Sequence, residues 1–451
     1  MKAFLDKLHA RLGDLWWYSL MIFVACRSGD VIQAFIGLWL VPKYVGPEEL
    51  GAVLPLQQLS GLFAVPLAII ATVFAKYVNT YATRGEYGKV KCFIRDVLLA
   101  SIIVFLVCIA VAYLVIPHFY ERLNVSAGLL TALILAAGFA SNIANLFTSA
   151  LQGLKKFKTM TIQNLISAPI RLATLLVAMP IRALSGYILG QATPPATCSL
   201  LAAYSLHKDL RAIPLDTSWR KDLPEIWCYL WPVGIYLALS TLCTSISTTI
   251  YRQRLPEIES AAYYLLSRFA EIAGYVGSSM LLILFPLAGE AHERQKENIQ
   301  ILHNTILATA VVSVAMAALF LFFAPDILSL SNIWSIYAKF TNLLAILTLI
   351  VGLSTIISAM VSYEMACRRF SAAIVASAFN LSWTVALVCC TGYAFFTGIL
   401  PAPCIEFFER LHMARLSTLS HATLGLYICQ AILLYIIVSR NHNNQKQKHQ
   451  P

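Results

Sequence analysis

The sequence contains few charged residues and no cysteine pattern of the kind that binds metals or carries out redox chemistry. Of its 451 residues, 12% are charged and 59% are hydrophobic, whereas an ordinary soluble domain has about 25% charged residues. This composition excludes a soluble globular enzyme. The 11 cysteines include no Cys-x-x-Cys spacing and no Cys/His cluster, and most lie in apolar runs, where a thiol behaves as a small hydrophobic group. The sequence therefore predicts neither a metal site nor a bound cofactor.

Apolar runs of roughly twenty residues recur along the whole chain. A helix rises about 1.5 Å per residue, so about 20 residues cross the roughly 30 Å hydrocarbon core of a bilayer. Twelve runs reach this length, which predicts an all-α integral membrane protein with about 12 transmembrane helices. Their limits are 16–41, 50–75, 96–117, 127–151, 161–181, 183–206, 226–251, 259–287, 301–324, 336–363, 370–397 and 416–439.

The net charge of +11 is explained by membrane orientation. Cytoplasmic loops of membrane proteins are enriched in lysine and arginine. With the N-terminus inside, the basic residues concentrate in the cytoplasmic segments, such as 76–95 and 207–225, and the outer loops are nearly balanced in charge. We therefore expect both termini to be cytoplasmic and the chain to be surrounded by membrane lipids, and we expect no nucleic-acid partner.

No loop between the predicted spans is long enough to form a domain. The longest are 76–95, 207–225 and 398–415. A membrane glycosyltransferase or ligase commonly needs a sizeable extramembrane segment for its catalytic groups, so the layout favours translocation, and we predict a transporter rather than an enzyme. The alternative is a membrane-embedded glycan polymerase or ligase that uses Arg410, His412 and Arg415 of the last loop.

The two halves of the chain share a pattern at an offset near 210 residues. Residues 45–51 and 255–262 both place a proline and two acids before a long apolar run. Because each half begins inside and contains six predicted spans, the repeats would be parallel in topology, an arrangement known from transporters that bind substrate between their halves. The predicted divisions are a first lobe at 1–206, a cytoplasmic inter-lobe loop at 207–225, a second lobe at 226–440 and a polar cytoplasmic tail at 441–451.

Five ionisable residues lie well inside the predicted spans. An ionised side chain at the bilayer centre costs about 2.5 to 3.5 kcal/mol on insertion scales, so such residues normally face protein or water and mark function. Arg27 and Asp30 on span 1, and Arg268 and Glu271 on span 8, are each three residues apart and share a helix face. Because the arginine fork suits phosphate oxygens, we predict that both pairs bind an anionic substrate; the alternative is a structural ion pair.

Three other residues complete the predicted site. Arg171 follows Pro169, which is expected to kink span 5, and it either reaches the lobe interior or binds the carbonyls that the kink frees. Gln57 and Gln58 on span 2 offer the neutral hydrogen-bonding groups that sugar hydroxyls need, although membrane helices also use glutamine between themselves. The predicted substrate-binding residues are Arg27, Asp30, Gln57, Gln58, Arg171, Arg268 and Glu271.

Several residues near span ends are interpreted as structural. Glu364 lies beside Arg368 and Arg369, which indicates a solvated interfacial ion pair. Trp219 and Trp334 are interpreted as aromatic anchors at the membrane interface.

Three segments carry a resemblance to a known family. Residues 40–51, Leu-Val-Pro-Lys-Tyr-Val-Gly-Pro-Glu-Glu-Leu-Gly, lie between spans 1 and 2; residues 151–158, Leu-Gln-Gly-Leu-Lys-Lys-Phe-Lys, follow span 4; and residues 284–288, Leu-Phe-Pro-Leu-Ala, end span 8. In these segments and in its layout, the chain resembles the Wzx-type polysaccharide flippases of the multidrug/oligosaccharidyl-lipid/polysaccharide exporter superfamily. The 398–415 segment departs from the tight final hairpin of that family.

The resemblance implies two six-helix lobes around a central cavity lined mainly by spans 1, 2, 7 and 8. It also implies translocation of a polyprenyl-pyrophosphate-linked oligosaccharide across the inner (cytoplasmic) cell membrane for surface-polysaccharide biosynthesis. Polysaccharide polymerase and ligase proteins of the same pathway are the expected protein partners. The alternative in the same superfamily is an antiporter for cationic drugs, whose site should be dominated by acids, whereas three arginines accompany two acids in these spans.

Overall fold

The computed structural model describes residues 28–123, 128–154, 156–293, 299–390 and 416–448. Within these ranges the chain consists of helices and the turns between them, without a strand. The long helices are α1 (28–44), α2 (Pro47–Thr83), α3 (Tyr87–Leu123), α4 (Gly128–Gly153), α5 (Phe157–Ala178), α6 (Ala183–Leu210), α7 (Leu223–Arg254), α8 (Glu257–Glu293), α9 (Ile299–Ser329), α10 (Thr341–Ala366), α11 (Ser371–Cys390) and α12 (Leu416–Lys448). Each of the twelve predicted runs overlaps one of these helices, which confirms the all-α fold class. By length and composition alone, 7 helical stretches of the described residues qualify as membrane spans.

Helix α1 changes its hydrogen-bonding pattern along its length. It is α-helical over 28–35, π-helical over Ile36–Leu40 and α-helical again over Val41–Tyr44. A π turn interrupts the usual i to i+4 ladder and is frequent at functional sites. The carbonyl of Leu38 accepts a 2.6 Å hydrogen bond from Trp334 Nε1. Trp334, predicted as an interface anchor, therefore supports the π-helical segment directly.

Proline and glycine set the boundaries of α2. The helix begins at Pro47. An amide proton at this first position would have no acceptor within the helix, so proline costs no hydrogen bond there. It ends at Thr83, and Gly85 then adopts a φ of +76°. That left-handed conformation is open to glycine without a steric penalty, so Gly85 allows the chain to turn sharply into α3.

The chain divides into two compact units. One comprises Met1–Ile36 and Leu59–Gly234, and the other comprises Gly37–Gln58 and Ile235–Pro451. The C-terminal part of α1 and the N-terminal part of α2 thus belong to the second unit, and the first turns of α7 belong to the first. The predicted lobes divide the chain at other positions, and the six-plus-six repeat stays a prediction.

In the first unit, α6 packs against α4 and α5, and it continues through two consecutive prolines, Pro194 and Pro195. Pro194 has no amide proton to donate to the carbonyl of Gly190, four residues earlier. The hydroxyl of Thr193 donates to that carbonyl instead, at 3.1 Å. A side chain of the same helix thus satisfies an orphan acceptor, which allows α6 to cross an apolar medium unbroken.

The segment that joins α6 to α7 is docked on the first unit. It contains a short 3-10 helix, Thr217–Asp222, which lies within the predicted inter-lobe loop. Lys91 Nζ on α3 donates to the carbonyl of Ile213 at 2.6 Å. The hydroxyl of Tyr81 donates to Asp222 Oδ2 at 2.8 Å. The linker, which we name the strap (residues 211–222), is therefore ordered by the ends of α2 and α3.

Trp219 of the strap is buried, with 7% of its surface exposed. Its ring centroid lies 4.9 Å from that of Phe93 on α3. The interpretation of Trp219 as an aromatic anchor in the membrane interface is therefore wrong, because the indole packs on protein. Next to it, Arg220 Nη2 donates to Asp96 Oδ2 at 2.9 Å.

In the second unit, α10 is the central helix, since it packs against α8, α9 and α12. Small residues let these helices approach closely. A Cβ on Gly352 of α10 would clash with the side chain of Ser313 on α9. A Cβ on Gly274 of α8 would lie 2.9 Å from Val351 of α10. Close contact between small residues is the usual means of helix association in membranes, where the lipid supplies no hydrophobic driving force.

Glu364, at the C-terminal end of α10, is fully buried at 0% exposure, so its interpretation as a solvated interfacial residue is wrong. Its carboxylate accepts a 2.7 Å hydrogen bond from Asn441 Nδ2 on α12 and lies 3.3 Å from Arg369 Nε. Arg369 N–H also donates to the Glu364 carbonyl at 2.8 Å. A buried charge is tolerated when it is paired and hydrogen-bonded, and here that pairing joins α10, the α10–α11 turn and the last helix.

Candidate functional site

The candidate site in the second unit is a hydrogen-bonded group of three side chains, which we name the Arg268 cluster: Gln57 on α2 and Arg268 and Glu271 on α8. Arg268 Nη1 donates to both carboxylate oxygens of Glu271, at 3.0 and 2.8 Å. Arg268 Nη2 donates to Gln57 Oε1 at 2.8 Å. The spacing of three residues places the charged pair on one face of α8, as the sequence predicted. The structure adds the contact with Gln57.

Arg268 is held in place by more than its hydrogen bonds. Its Cζ lies 5.2 Å from the ring centroid of Tyr264, one turn earlier on α8, within range of a cation–π interaction. A Cβ on Gly37 would lie 3.1 Å from Arg268 Cδ, so the π-helical segment of α1 approaches the arginine stem where it has a glycine. Tight packing of this kind fixes the direction of the guanidinium.

The two charges of the cluster differ in accessibility. The Arg268 side chain is 6% exposed, whereas the Glu271 side chain is 35% exposed. The guanidinium is thus desolvated and neutralised by its neighbour, and the carboxylate is the charge that a ligand reaches first. An anion that binds Arg268 through Nη1 has to replace Glu271 there.

The accessible stripe of α8 is polar. Its partly or fully accessible members are Tyr263, Ser267, Glu271, Tyr275 and Ser278. Their spacing of about four residues places them along one side of the helix, and the residues between them that the structure describes are mostly buried and apolar. Sequence reasoning selected Glu271 and missed its neighbours on the stripe, although the repeat of polar residues at i, i+4 and i+8 was a usable signal.

Comparison with α9 shows which medium this stripe faces. The large exposed residues of α9 are Leu307, Val311, Val314, Leu319, Leu321, Phe322 and Phe323. Two of the buried polar residues of the same helix, Thr305 and Thr309, donate to carbonyls one turn earlier at 2.9 and 2.8 Å. Helix α9 therefore has the polarity of a lipid-facing helix, and α8 has the opposite polarity. Since lipid does not solvate carboxylates and hydroxyls, the stripe of α8 faces water.

Gln58 lies beside the cluster on α2. Its side chain is partly accessible, and its backbone carbonyl accepts a 3.4 Å hydrogen bond from Ser245 Oγ on α7. Gln57 is thus the glutamine that orients Arg268. Gln58 offers a neighbouring amide on the same turn.

In the first unit, the structure brings Asp30 and Arg171 to neighbouring helices. A Cβ on Gly29 of α1 would lie 3.8 Å from the Ala168 methyl of α5. Asp30 is the next residue on α1, and Arg171 follows Ala168 by one turn of α5. Both side chains are partly accessible, so these two predicted site residues share one region of the first unit.

Some predicted residues lie outside the described part of the chain. Arg27 precedes it, so the predicted pair with Asp30 stays a prediction. Arg410, His412 and Arg415, the basis of the polymerase or ligase alternative, also fall outside. Among the residues that the structure does describe, no group of three or more His, Cys, Asp or Glu side chains is arranged to hold a metal ion.

The fold is similar to solved structures of membrane transporters. A transporter of the MOP superfamily from Pyrococcus furiosus, described as having a binding pocket of reverse polarity, matches with a TM-score of 0.69 and 15% identity over 96% of this chain and 97% of that one. A multidrug resistance MATE family transporter in an inward-facing conformation matches with a TM-score of 0.65 and 14% identity over 94% and 98%. A point mutant of the Vibrio cholerae MATE transporter VcmN matches with a TM-score of 0.61 and 16% identity over 98% of each chain.

No family model and no curated protein sequence matches the chain. At 14% to 16% identity, these likenesses describe the fold, and they do not separate polysaccharide flippases from multidrug transporters. They show the fold alone. The chain has an all-helical fold similar to that of these solved transporters.

Proposed function

We propose that this protein is an alternating-access transporter that flips a polyprenyl-pyrophosphate-linked oligosaccharide across the cell membrane, for surface-polysaccharide biosynthesis. The observation that carries the proposal is Arg268, an arginine within a predicted span, whose fork is oriented by Gln57 and Glu271. It lies beside a helix stripe that faces water. The fold supports transport, because similar structures have been solved in inward-facing and outward-facing conformations.

In the proposed cycle, the pyrophosphate exchanges with Glu271 for the guanidinium of Arg268. The planar fork can bind two phosphate oxygens in the same bidentate way as it binds a carboxylate. When the lipid departs, Glu271 returns to Nη1, where it now lies at 2.8 Å. The carboxylate thus prevents the arginine from holding its anion permanently, which a transporter requires at each half-cycle.

The other predicted residues have supporting parts in this proposal. Asp30 and Arg171 form a second group with charges of both signs in the first unit. Gln57 and Gln58 supply amide groups for sugar hydroxyls. The lipid tail stays in the bilayer, and polymerase and ligase proteins of the same pathway are the proposed consumers of the flipped product.

A second candidate is an antiporter for organic cations. The observation that favours it is the accessibility of Glu271, the charge of the Arg268 cluster that is most open to a ligand. In that case Arg268 would tune the carboxylate, and a cation would compete with the arginine for it.

The test is translocation of a fluorescent polyprenyl-pyrophosphate-linked oligosaccharide in liposomes that contain the purified protein. We expect Arg268→Ala to reduce the rate at least tenfold and Arg268→Lys to reduce it less, because lysine keeps the charge without the fork. Arg182→Ala is the matched control, since Arg182 is exposed at the start of α6. A rate equal to wild type in both Arg268 variants would contradict the assignment.

Glu271→Gln separates the two candidate functions. For the flippase, we expect the lipid to bind at least as tightly, because no carboxylate competes for Arg268, and its release to slow. For a cation antiporter, the same change removes the binding charge and abolishes uptake of a fluorescent organic cation. Cation uptake by wild type that Glu271→Gln abolishes, with no lipid flipping by either protein, would replace the first proposal by the second.

A further inference from the structure

Four tyrosines of the second unit form a group beside the Arg268 cluster: Tyr236 and Tyr251 on α7, Tyr263 on α8 and Tyr427 on α12. We name it the tyrosine cluster. The rings of Tyr251 and Tyr263 meet edge to face, with centroids 4.9 Å apart and an interplanar angle of 86°. Thr423 of α12, one turn before Tyr427, places its Oγ1 3.4 Å from the Tyr251 hydroxyl, and Tyr427 is within electrostatic range of the other three. The four residues come from three helices.

The tyrosine hydroxyls are accompanied by other hydroxyl groups. The Tyr251 hydroxyl lies 3.4 Å from Thr423 Oγ1 on α12, and Ser354 on α10 is a near neighbour of Tyr427. A hydroxyl both donates and accepts hydrogen bonds. The group therefore presents neutral groups of both kinds, whereas Arg and Lys only donate and a carboxylate only accepts.

Part of the tyrosine cluster is accessible. Tyr236, Tyr263 and Tyr427 are partly accessible, and Tyr263 begins the polar stripe of α8 that faces water. Tyr263 also interacts electrostatically with Glu271. Tyr263 precedes Glu271, the partner of Arg268, by eight residues, which is about two turns or about 12 Å along α8. A substrate longer than this distance can contact Arg268 and Tyr263 together.

The chemistry of this surface matches a sugar ring. A pyranose has a rim of hydroxyls that both donate and accept, and a face of C–H groups that packs against aromatic rings. Tyrosine offers an apolar ring with a polar tip. A bare cation would instead need several acceptor oxygens with negative charge, whereas the tyrosine cluster itself contributes neutral hydroxyls.

From this placement we propose that the tyrosine cluster is a saccharide subsite, which binds the sugar next to the pyrophosphate while Arg268 binds the phosphate. The inference rests on the proposed flippase function, because it assigns the second part of the same substrate. It predicts that the protein recognises sugar as well as lipid phosphate.

The test compares the affinity of the purified protein in nanodiscs for polyprenyl pyrophosphate with no sugar, with one hexose and with one N-acetylhexosamine. We expect wild type to bind at least one sugar-bearing lipid about tenfold more tightly than the bare lipid. We expect Tyr263→Phe and Tyr427→Phe, which remove one hydroxyl each and keep the ring, to reduce this preference three- to tenfold without changing affinity for the bare lipid. Tyr435→Phe, at an exposed position of α12, is the matched control.

The outcomes distinguish the subsite from the proposed function. Equal wild-type affinity for all three lipids, or a preference that neither phenylalanine variant reduces, would overturn the subsite even if flipping occurs. Weaker binding of the bare lipid in both variants would also overturn it, because the tyrosines would then act on phosphate or on folding. Sugar preference without any flipping in liposomes would keep the subsite and contradict the flippase.

Discussion

At the scale of single residues, a chain of contacts leads from the backbone of α1 to the Arg268 cluster. Trp334 donates to the carbonyl of Leu38, and its ring centroid lies 5.3 Å from that of Phe269 at an interplanar angle of 83°. Phe269 directly follows Arg268. The indole therefore supports both the π-helical segment that packs on the arginine and the helix that carries it.

We predict that Trp334→Phe lowers the free energy of unfolding by about 1 to 3 kcal/mol, because it leaves a buried carbonyl without its donor. The phenyl ring keeps most of the contact with Phe269. The measurement is thermal unfolding in detergent micelles. The control is Trp231→Phe, whose indole is 61% exposed, and equal stability of both variants would show that the hydrogen bond to Leu38 is not needed.

The same residues show how far sequence can predict a site. The pair Arg268 and Glu271 could be predicted, because a spacing of three within one helix determines their proximity. Gln57 could not be assigned to Arg268, since 211 residues separate them and the contact depends on how two helices pack. The interpretation of Glu364 was wrong for the same reason: its partner Asn441 lies 77 residues later in the sequence, on another helix.

At the scale of elements, the strap depends on a cap at its 3-10 helix. Asp216 Oδ1 accepts a 2.8 Å hydrogen bond from the backbone N–H of Ser218. That bond lowers the pKa of Asp216 below its ordinary value of 3.8. Because the folded-state pKa is the lower one, the cap is fully present above the ordinary pKa and is lost as pH falls through the lowered value.

We predict that Asp216→Ala increases amide exchange of residues 217–222 at neutral pH, and that wild type shows the same increase only in acid. Asp216→Asn should keep protection at both pH values, because asparagine also caps helices and does not titrate in this range. Hydrogen exchange followed by mass spectrometry, corrected for the intrinsic pH dependence of exchange, measures this. Full protection in Asp216→Ala would mean that Lys91 and Tyr81 hold the strap without the cap.

Sequence periodicity predicted the helices well, because an apolar run of sufficient length has few alternatives in a bilayer. It did not predict the strap, whose order comes from side chains of α2 and α3. It also did not predict the π-helical segment Ile36–Leu40, because apolar residues there fit either helical pattern.

At the scale of the whole molecule, the distribution of basic residues remains the basis for orientation. We predict that the N-terminus and the tail after α12 are both cytoplasmic, because an even number of spans returns the chain to its starting side and basic loops stay inside. Green fluorescent protein fused to the C-terminus of the full chain should fluoresce in cells. Alkaline phosphatase at the same position should be inactive, and the reverse pattern would contradict the topology.

The polarity of the helices, unlike their number, indicates which helix surface is suited to bind a ligand. A count of spans treats α8 and α9 alike, yet the large exposed hydrophobic residues lie on α9, whereas α8 carries a stripe of accessible polar residues. The contrast appears only once burial is known, because each helix carries polar and apolar residues whose direction sequence alone leaves open. The opposite polarities identify α8 as the helix of the second unit on which ligand chemistry is best sought.

The π-helical segment of α1 has a consequence for insertions and deletions. A π turn holds one residue more than an α turn. Removal of one residue from Ile36–Leu40 would therefore leave a regular α-helix in which the residues on either side keep nearly the same facing. The same removal from a regular α-helical stretch would rotate the residues before it by about 100° relative to those after it. The π-helical segment is thus a place where α1 tolerates the loss of a single codon, whereas its α-helical neighbours do not.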